Sequence, residues 1–257
     1  MEPIVTILIP NYKTLNLTKL CLHLLKQNTD LNKIHIIAID NHSQDESLDY
    51  LRSLDWITLI ERAPETDDTP PLSHSRALDL ALQNITTPYV LSMHTDTFVK
   101  NEKWLDFLLN EINKDSNIAA VGSWKLEQKS WPHRVAKSIE RAYQRAWYWF
   151  IRKKKHVIQG VGDNYYYLRS HCALYRTRLL HEYQLTFSDE NECAGKVMHR
   201  KLKERGHDIT FIPSSKLIKY LEHANHATTV LNPQLGSRKK SITKGEKRLK
   251  KTLEKLQ

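Results

Sequence analysis

The chain has 257 residues, 40% of them apolar and 26% charged, with seven glycines and nine prolines. This composition is typical of a globular protein and excludes a fibrous or intrinsically disordered chain, and no stretch approaches the roughly 18 apolar residues of a membrane span. The net charge of +10 lies in two segments: residues 134–155 and 237–257 each carry +7, which leaves the rest of the chain at −4. The length suits one domain with additions.

The first 122 residues alternate short apolar runs with amphipathic stretches. The predicted strands cover 4–9, 34–39, 56–61, 89–93 and 118–123, and the predicted helices cover 15–27, 45–54, 73–83 and 101–113. Strands that alternate with helices in this way indicate an α/β fold, in which a parallel sheet is covered on both faces.

Polar residues follow three of these strands. Asn11 follows the first strand, Asp40 the second and Asp96 the fourth. Ligands bind at the carboxyl ends of parallel strands, so these side chains are expected at one edge of the sheet and in one site. The alternative is that the two aspartates only cap the turns or helices that follow.

Three sequence blocks, "VTILIPNYKTLNLTKLCLHLL", "IIAIDNHSQDES" and "SRALDLALQNITTPYVLSMHTDTFV", resemble successive blocks of the family-2 glycosyltransferases. The resemblance implies a GT-A fold with a Rossmann-like, mostly parallel sheet, extended here by basic amphipathic helices. It also implies a nucleotide-sugar-binding half over residues 1–122, an acceptor-binding half over 123–235 and a basic tail over 236–257.

For the donor, the resemblance implies that Pro10, Asn11 and Tyr12 line a pocket for the base and the ribose. Asp40 would accept a hydrogen bond from the imide N–H of uracil or thymine, because an ionised carboxylate offers only acceptors. This role favours a UDP- or dTDP-sugar. Arg76 would steady the site or the diphosphate through its fork of N–H donors.

The family's Asp-x-Asp motif, which holds a divalent cation, matches His94-Thr95-Asp96, so its first acid is missing here. By resemblance, Asp96 is a ligand of Mn²⁺ or Mg²⁺, and His94 and Thr95 lie beside the donor. His223, with His226 three residues later, follows a predicted strand "KLIKYL" and is expected to reach the donor phosphate or complete the metal shell.

The catalytic base is harder to place. Inverting members of the family use a carboxylate from a Glu-Asp pair at the start of a helix that ends in Gly, and here Ala194 and Gly195 occupy the usual places before Gly206. The nearest acids lie just upstream, and Glu192 is the first candidate and Glu190 the second. The alternative is that both are helix caps.

The segment 134–155 has an apolar stripe at helical spacing, with Trp and Phe on it and arginines largely off it. This pattern is typical of a helix that lies in a membrane interface, although it also fits a helix packed on the protein's own core. With no secretory signal recognised, we expect a cytoplasmic protein, peripheral on an anionic membrane surface, acting on a glycan or lipid-linked acceptor in cell-surface polysaccharide or glycolipid synthesis.

Two other functions remain open at this point. The missing acid and the displaced pair permit a degenerate family member that binds a nucleotide-sugar or glycan without turnover. The basic segments permit nucleic-acid binding, but that function leaves the three strand-end clusters unexplained, so no nucleic-acid partner is expected. The three cysteines are predicted to be reduced and structural.

Overall fold

The computed structural model describes residues 2–126, 139, 140, 142, 143, 147, 160, 162–225, 227–235 and 239–256. Its main sheet has seven strands: β1 (Val5–Asn11), β2 (Ile34–Asp40), β3 (Thr58–Glu61), β4 (Tyr89–Met93), β6 (Ile118–Gly122), β7 (Cys172–Arg176) and β8 (Asp208–Phe211). They lie in the order β3-β2-β1-β4-β7-β6-β8. Two further strands, β5 (Thr97–Val99) and β9 (Leu221–His223), form a small antiparallel sheet.

Strand direction confirms the predicted mostly parallel sheet. The pairs β1–β2, β2–β3, β1–β4 and β6–β8 are parallel, and only β7 runs antiparallel to its neighbours β4 and β6. Asn11 pairs with Asp40 in the β1–β2 register. The carboxyl ends of β1, β2 and β4 therefore share one edge of the sheet.

The helices of the described chain are α1 (Leu15–Gln27), α2 (Glu46–Arg52), α3 (Pro70–Leu82), α4 (Trp104–Ile112), α5 (Thr177–Glu182), α6 (Lys196–Glu204), α7 (Ser214–Leu217), α8 (Ala227–Leu231) and α9 (Lys239–Leu256). Side chains of α1 and α4 share one hydrophobic cluster with Ile7, and side chains of α3 and α6 share a second cluster with Leu8. Successive side chains of a strand point to opposite faces, so both faces of the sheet are covered, as predicted.

Two details of the second half differ from the sequence prediction. The predicted strand over "KLIKYL" (216–221) is wrong, because the stretch holds the last two residues of α7 and a turn, and only Leu221 belongs to a strand. Leu217 and Leu221 are buried four residues apart while Lys216 and Lys219 are exposed, which is helical spacing. The other difference is that the helix expected to start near Glu192 begins at Lys196.

The basic segments are described only in part. Of the predicted helix over 134–155, the described Ile139, Tyr143 and Trp147 are exposed, whereas Arg134, Lys137, Arg141, Arg145 and Arg152 lie outside the described residues. The tail forms α9, whose Leu249 is buried. Within the described ranges, no helix has the length and apolar content needed to cross a bilayer.

Candidate functional site

A cavity of about 500 Å³ opens at the carboxyl ends of β1, β2 and β4. It brings together most of the residues that the sequence analysis assigned to a donor site: Pro10, Asn11, Tyr12, His94, Thr95, Asp96 and His223. Asp40, Arg76, Glu190 and Glu192 do not line it. The edge of the sheet predicted from strand direction is therefore the edge that carries the cavity.

Asp96 is held in place by the small second sheet. The pairing of Thr97 with His223 brings β9 beside the strand that follows Asp96, and the backbone N–H of Ala224 donates to the Asp96 carbonyl at 2.9 Å. The N–H of Ala227 donates to Asp96 Oδ2 at 3.1 Å. The carboxylate, only 2% exposed, is thus fixed by one oxygen and leaves Oδ1 for another partner.

Two imidazoles face that second oxygen. His223 Nε2 lies 3.1 Å and His94 Nδ1 3.6 Å from Asp96 Oδ1, and one ligand atom from each of the three side chains falls within 4.8 Å of the others. Among the described residues, neither Asp96 Oδ1 nor His223 Nε2 has a hydrogen-bond partner. Carboxylate oxygen suits Mg²⁺ and Mn²⁺, and imidazole is a common ligand of first-row metals, so this set fits a divalent cation.

The protonation states suit the same role. Burial opposes ionisation of Asp96, but the neighbouring imidazoles of His223 and His94 outweigh it and hold the pKa of the carboxyl well below its usual range. Burial lowers the pKa of His94, and it lowers the pKa of His74 to about 3. At neutral pH the site therefore presents an anionic carboxylate beside neutral imidazole at His94, which is the form that binds metals.

The Ser170 hydroxyl and the His171 ring contact the imidazoles of this cluster. Ser170 Oγ lies 2.9 Å from His94 Nε2 and 3.0 Å from His74 Nε2. His171 stacks on His223 with ring centroids 4.7 Å apart. Partners of this kind fix the orientation and the tautomer of a ligating histidine, so His94 is positioned with Nδ1 towards Asp96.

Comparison with known families decides where this architecture belongs. A family model described as glycosyl transferase family 2 matches residues 6–184. The chain belongs to glycosyltransferase family 2. A search of curated proteins by sequence found no match.

Solved structures show the GT-A fold for this family-2 chain. The mannosyltransferase PcManGT from Pyrobaculum calidifontis, in complex with GDP-Man and Mn²⁺, has a TM-score of 0.56 at 16% identity, over 83% of this chain and 55% of its own. S. aureus TarS 1–349 has a TM-score of 0.55 at 14% identity, over 97% and 69% of the two chains. The same protein in complex with UDP-GlcNAc gives 0.53 at 16% identity, over 98% and 72%. The chain thus spans little more than half the length of PcManGT.

Asp40 is buried and does not line the cavity. Its Oδ1 accepts from Asn11 Nδ2 at 2.7 Å and from Ser43 Oγ at 2.5 Å, and its Oδ2 accepts from the Ser43 N–H at 2.8 Å. The side chain, 1% exposed, orders the turn after β2. Its contact with a base stays a prediction.

Arg76 lies on α3 and holds the loop that precedes the helix. Its guanidinium pairs with Asp67 at 2.6 Å and with Asp68 at 2.8 Å. Asp68 also pairs with the buried Arg62 at 2.8 Å and lines the cavity. Arg76 therefore acts on the cavity through this loop, and the structure shows no contact of its own there.

The two candidate bases are engaged by cations of α6. Glu192 pairs with Lys196 at 2.9 Å and Glu190 with Arg200 at 2.5 Å. Both carboxylates precede the helix, which follows the left-handed Gly195. Their role in catalysis remains a prediction, and His226, the alternative to His223, lies outside the described residues.

The cavity neighbours that were not predicted from the sequence include His74, Arg169, Ser170 and His171. The last three come immediately before β7, a strand that the apolar pattern did not reveal. The signal was present, because "LRSHCALYR" places a polar cluster before an apolar run. The rule that ligands bind at the carboxyl ends of strands does not find these residues, because β7 runs antiparallel and its first residue, not its last, lies at this edge of the sheet. The direction of β7 would have to be known first.

Proposed function

We propose that this protein transfers a sugar from a nucleotide diphosphate donor, with inversion, to a glycan or lipid-linked acceptor in cell-surface polysaccharide or glycolipid synthesis. The observation that carries the proposal is the cluster of His94, Asp96 and His223 at the cavity, in which Asp96 Oδ1 and His223 Nε2 face each other at 3.1 Å. Family membership supports the class of reaction.

His94, Asp96 and His223 would hold a divalent cation, Mn²⁺ or Mg²⁺. When bound, such an ion neutralises negative charge on the leaving diphosphate. The chain's own contribution is position: Ala227 fixes the Asp96 carboxylate, and holding reactants in a fixed geometry removes a large part of the entropy cost of reaction.

Pro10 and Tyr12 form the wall of the cavity at the end of β1, and we propose that they contact the base and the ribose. A UDP- or dTDP-sugar is favoured on the resemblance around Asp40. Because PcManGT is described with GDP-Man and TarS with UDP-GlcNAc, guanine and uracil donors both belong in any test.

A second candidate function is donor or glycan binding without turnover. Within the described residues, the carboxylates that line the cavity are Asp68 and Asp96. Asp68 is paired with two arginines, and Asp96 is assigned to the cation. Neither of these carboxylates is therefore free to act as the catalytic base. Measurable donor binding without transfer or hydrolysis would favour this function over an enzyme.

The test is a thermal-shift panel of UDP, dTDP and GDP and their sugars, each with and without Mn²⁺ or Mg²⁺. A ligand at 100 times its Kd stabilises the fold by about 2.7 kcal/mol, which moves the Tm of a domain of this size by several degrees. We expect a metal-dependent shift with one base. Asp96→Asn keeps the shape but removes the charge and should abolish the metal dependence.

Asp106→Asn is the matched control, because Asp106 is 57% exposed on α4 and pairs, among the residues that the structure describes, only with Lys33 across the surface. It should retain the full shift. If no nucleotide shifts the wild type, the donor site does not exist as proposed.

A further inference from the structure

Arg169 lines the cavity, and its positive charge has no acidic partner among the described residues. Its guanidinium lies over the ring of Trp124, 5.0 Å from the centroid, and over the ring of Tyr167 at 5.3 Å. Among the described residues, no carboxylate forms an ion pair with it. A cation held on aromatic faces at the edge of a cavity keeps its charge available to a ligand.

The backbone fixes where this charge sits. The N–H of Arg169 donates to the Ser123 carbonyl at 3.0 Å, and the N–H of Cys172 donates to the Arg169 carbonyl at 3.3 Å. The residue is therefore tied to the ends of β6 and β7. It lines the same cavity as Asp96 and His94, on the side that His171 and Ser170 also occupy.

Most of the donors of the guanidinium remain unused. One of its N–H groups donates to the Tyr167 hydroxyl, and a guanidinium has five. Tyr167 is 4% exposed, and burial raises its pKa to about 12, so it stays neutral and does not cancel the charge. The remaining N–H donors match the oxygens of a phosphate, to which arginine binds in bidentate fashion.

Charge balance indicates which phosphate. A diphosphate that links a nucleoside to a sugar carries about two negative charges. If two carboxylates bound the divalent cation, their charges would cancel that of the cation, and the charge of the diphosphate would not be neutralised. Here the motif keeps one acid, Asp96, and His94 replaces the other. One cation of charge +2, one carboxylate and one guanidinium together neutralise a diphosphate, and the extra positive charge is worth most in a site shielded from water.

We infer that Arg169 binds the diphosphate of the nucleotide donor and of the nucleoside diphosphate product, in the cavity that it shares with Asp96. This inference rests on the proposed function, because it concerns the same donor site. It assigns a permanent positive charge to a residue that the sequence pattern did not single out.

The experiment measures dissociation constants of the full chain with Mn²⁺ for two probes, the nucleoside diphosphate that gives the largest thermal shift and the matching nucleoside. We expect Arg169→Gln to weaken the nucleoside diphosphate about 10- to 100-fold, the range for lost hydrogen bonds to charged groups, and to change the nucleoside less than about twofold. Arg169→Lys keeps the charge without the fork and should recover part of the loss.

Arg178→Gln is the matched control, since Arg178 is exposed on α5 and Glu182 is its one ion-pair partner in the described part of the chain; it should bind both probes as the wild type does. Equal weakening of both probes by Arg169→Gln would mean general damage and overturns the inference. If Arg169→Gln left nucleoside diphosphate binding unchanged and instead raised the KM for the acceptor, the anion that Arg169 binds would belong to the acceptor. That result overturns the inference as well. A wild type that binds no nucleoside diphosphate overturns the proposed function together with it.

Discussion

Asp40 ends β2 and Asp96 follows β4, on either side of β1 in one sheet, and both are buried, but hydrogen bonding gives the two carboxylates different chemistry. Asp40 has both oxygens occupied by Asn11 and Ser43, whereas Asp96 has one oxygen bound by Ala227 and one without a hydrogen bond. A saturated buried carboxylate stabilises the fold, and a half-saturated one is prepared for a ligand.

Asp40→Ala should therefore lower the free energy of unfolding by about 2–4 kcal/mol in the absence of nucleotide, because it leaves buried donors of Ser43 and Asn11 without their acceptor. Urea unfolding measures this. Asp67→Ala is the control, since Asp67 is 63% exposed and exposed ion pairs of this kind contribute little to stability. If Asp40→Ala kept normal stability but lost nucleotide binding, the role of Asp40 would instead be to contact the nucleotide-sugar and not to stabilise the fold.

At the scale of elements, α5 and α6 end in the same Schellman motif with different residues. After α5, the N–H of Leu185 donates to the Leu180 carbonyl at 2.8 Å, and Gln184 has φ +51°. After α6, the N–H of His207 donates to the Leu202 carbonyl at 3.1 Å, and Gly206 has φ +83°. This left-handed position favours glycine, so the first helix ends with strain that the second avoids.

Gln184→Gly should raise the free energy of unfolding by about 0.5–1 kcal/mol, and Gly206→Gln should lower it by a similar amount. A Cβ at Gly206 would meet no atom within 4 Å, so that cost is one of backbone conformation rather than of packing. Paired urea unfolding curves test both. If Gln184→Gly also destabilises, the entropy that glycine adds to the unfolded chain outweighs the relief of strain.

The same scale explains what could be predicted from sequence. The parallel strands β1, β2 and β4 are buried on both faces, so their apolar runs stand out and their ends lead to Asn11 and Asp96. The strands β5 and β9 have three residues each, too few for a pattern to show. His223 was chosen by its position after a predicted strand that proved to be the end of a helix followed by a turn. Arg169 was missed altogether. The neighbours of both residues are set by tertiary pairing, which the sequence pattern does not show.

At the scale of the whole molecule, the positive charge is concentrated in 134–155 and 237–257, and the structure separates their roles. Leu249 of α9 is buried, and Gly245 lies so close to Val230 that a Cβ would come within 2.3 Å of its side chain. The apolar side of the tail is therefore occupied by the protein itself. The lysines and arginines of the tail can contact an anionic membrane, but its apolar side is not available for insertion into that membrane.

We propose that residues 134–155 supply the apolar contact for a peripheral protein on the cytoplasmic face. Ile139, Tyr143 and Trp147 recur every fourth residue and are 65%, 68% and 52% exposed. Aromatic side chains on a basic helix insert at the boundary between headgroups and acyl chains, while each nearby cation adds roughly 1 kcal/mol on an anionic leaflet.

Trp147→Ser should therefore weaken cosedimentation with vesicles of phosphatidylcholine and phosphatidylserine about tenfold, because partial burial of the ring is worth about 1.5 kcal/mol. Phe211→Ser is the control, since Phe211 is 39% exposed on the edge strand β8 and should leave binding unchanged. Vesicles of phosphatidylcholine alone should bind the wild type weakly, and added salt should reduce binding to the anionic vesicles. Binding that is equal for both kinds of vesicle, or that Trp147→Ser leaves unchanged, would contradict the proposal. It would mean that the exposed stripe contacts another surface and that the basic segments do not direct the protein to lipid.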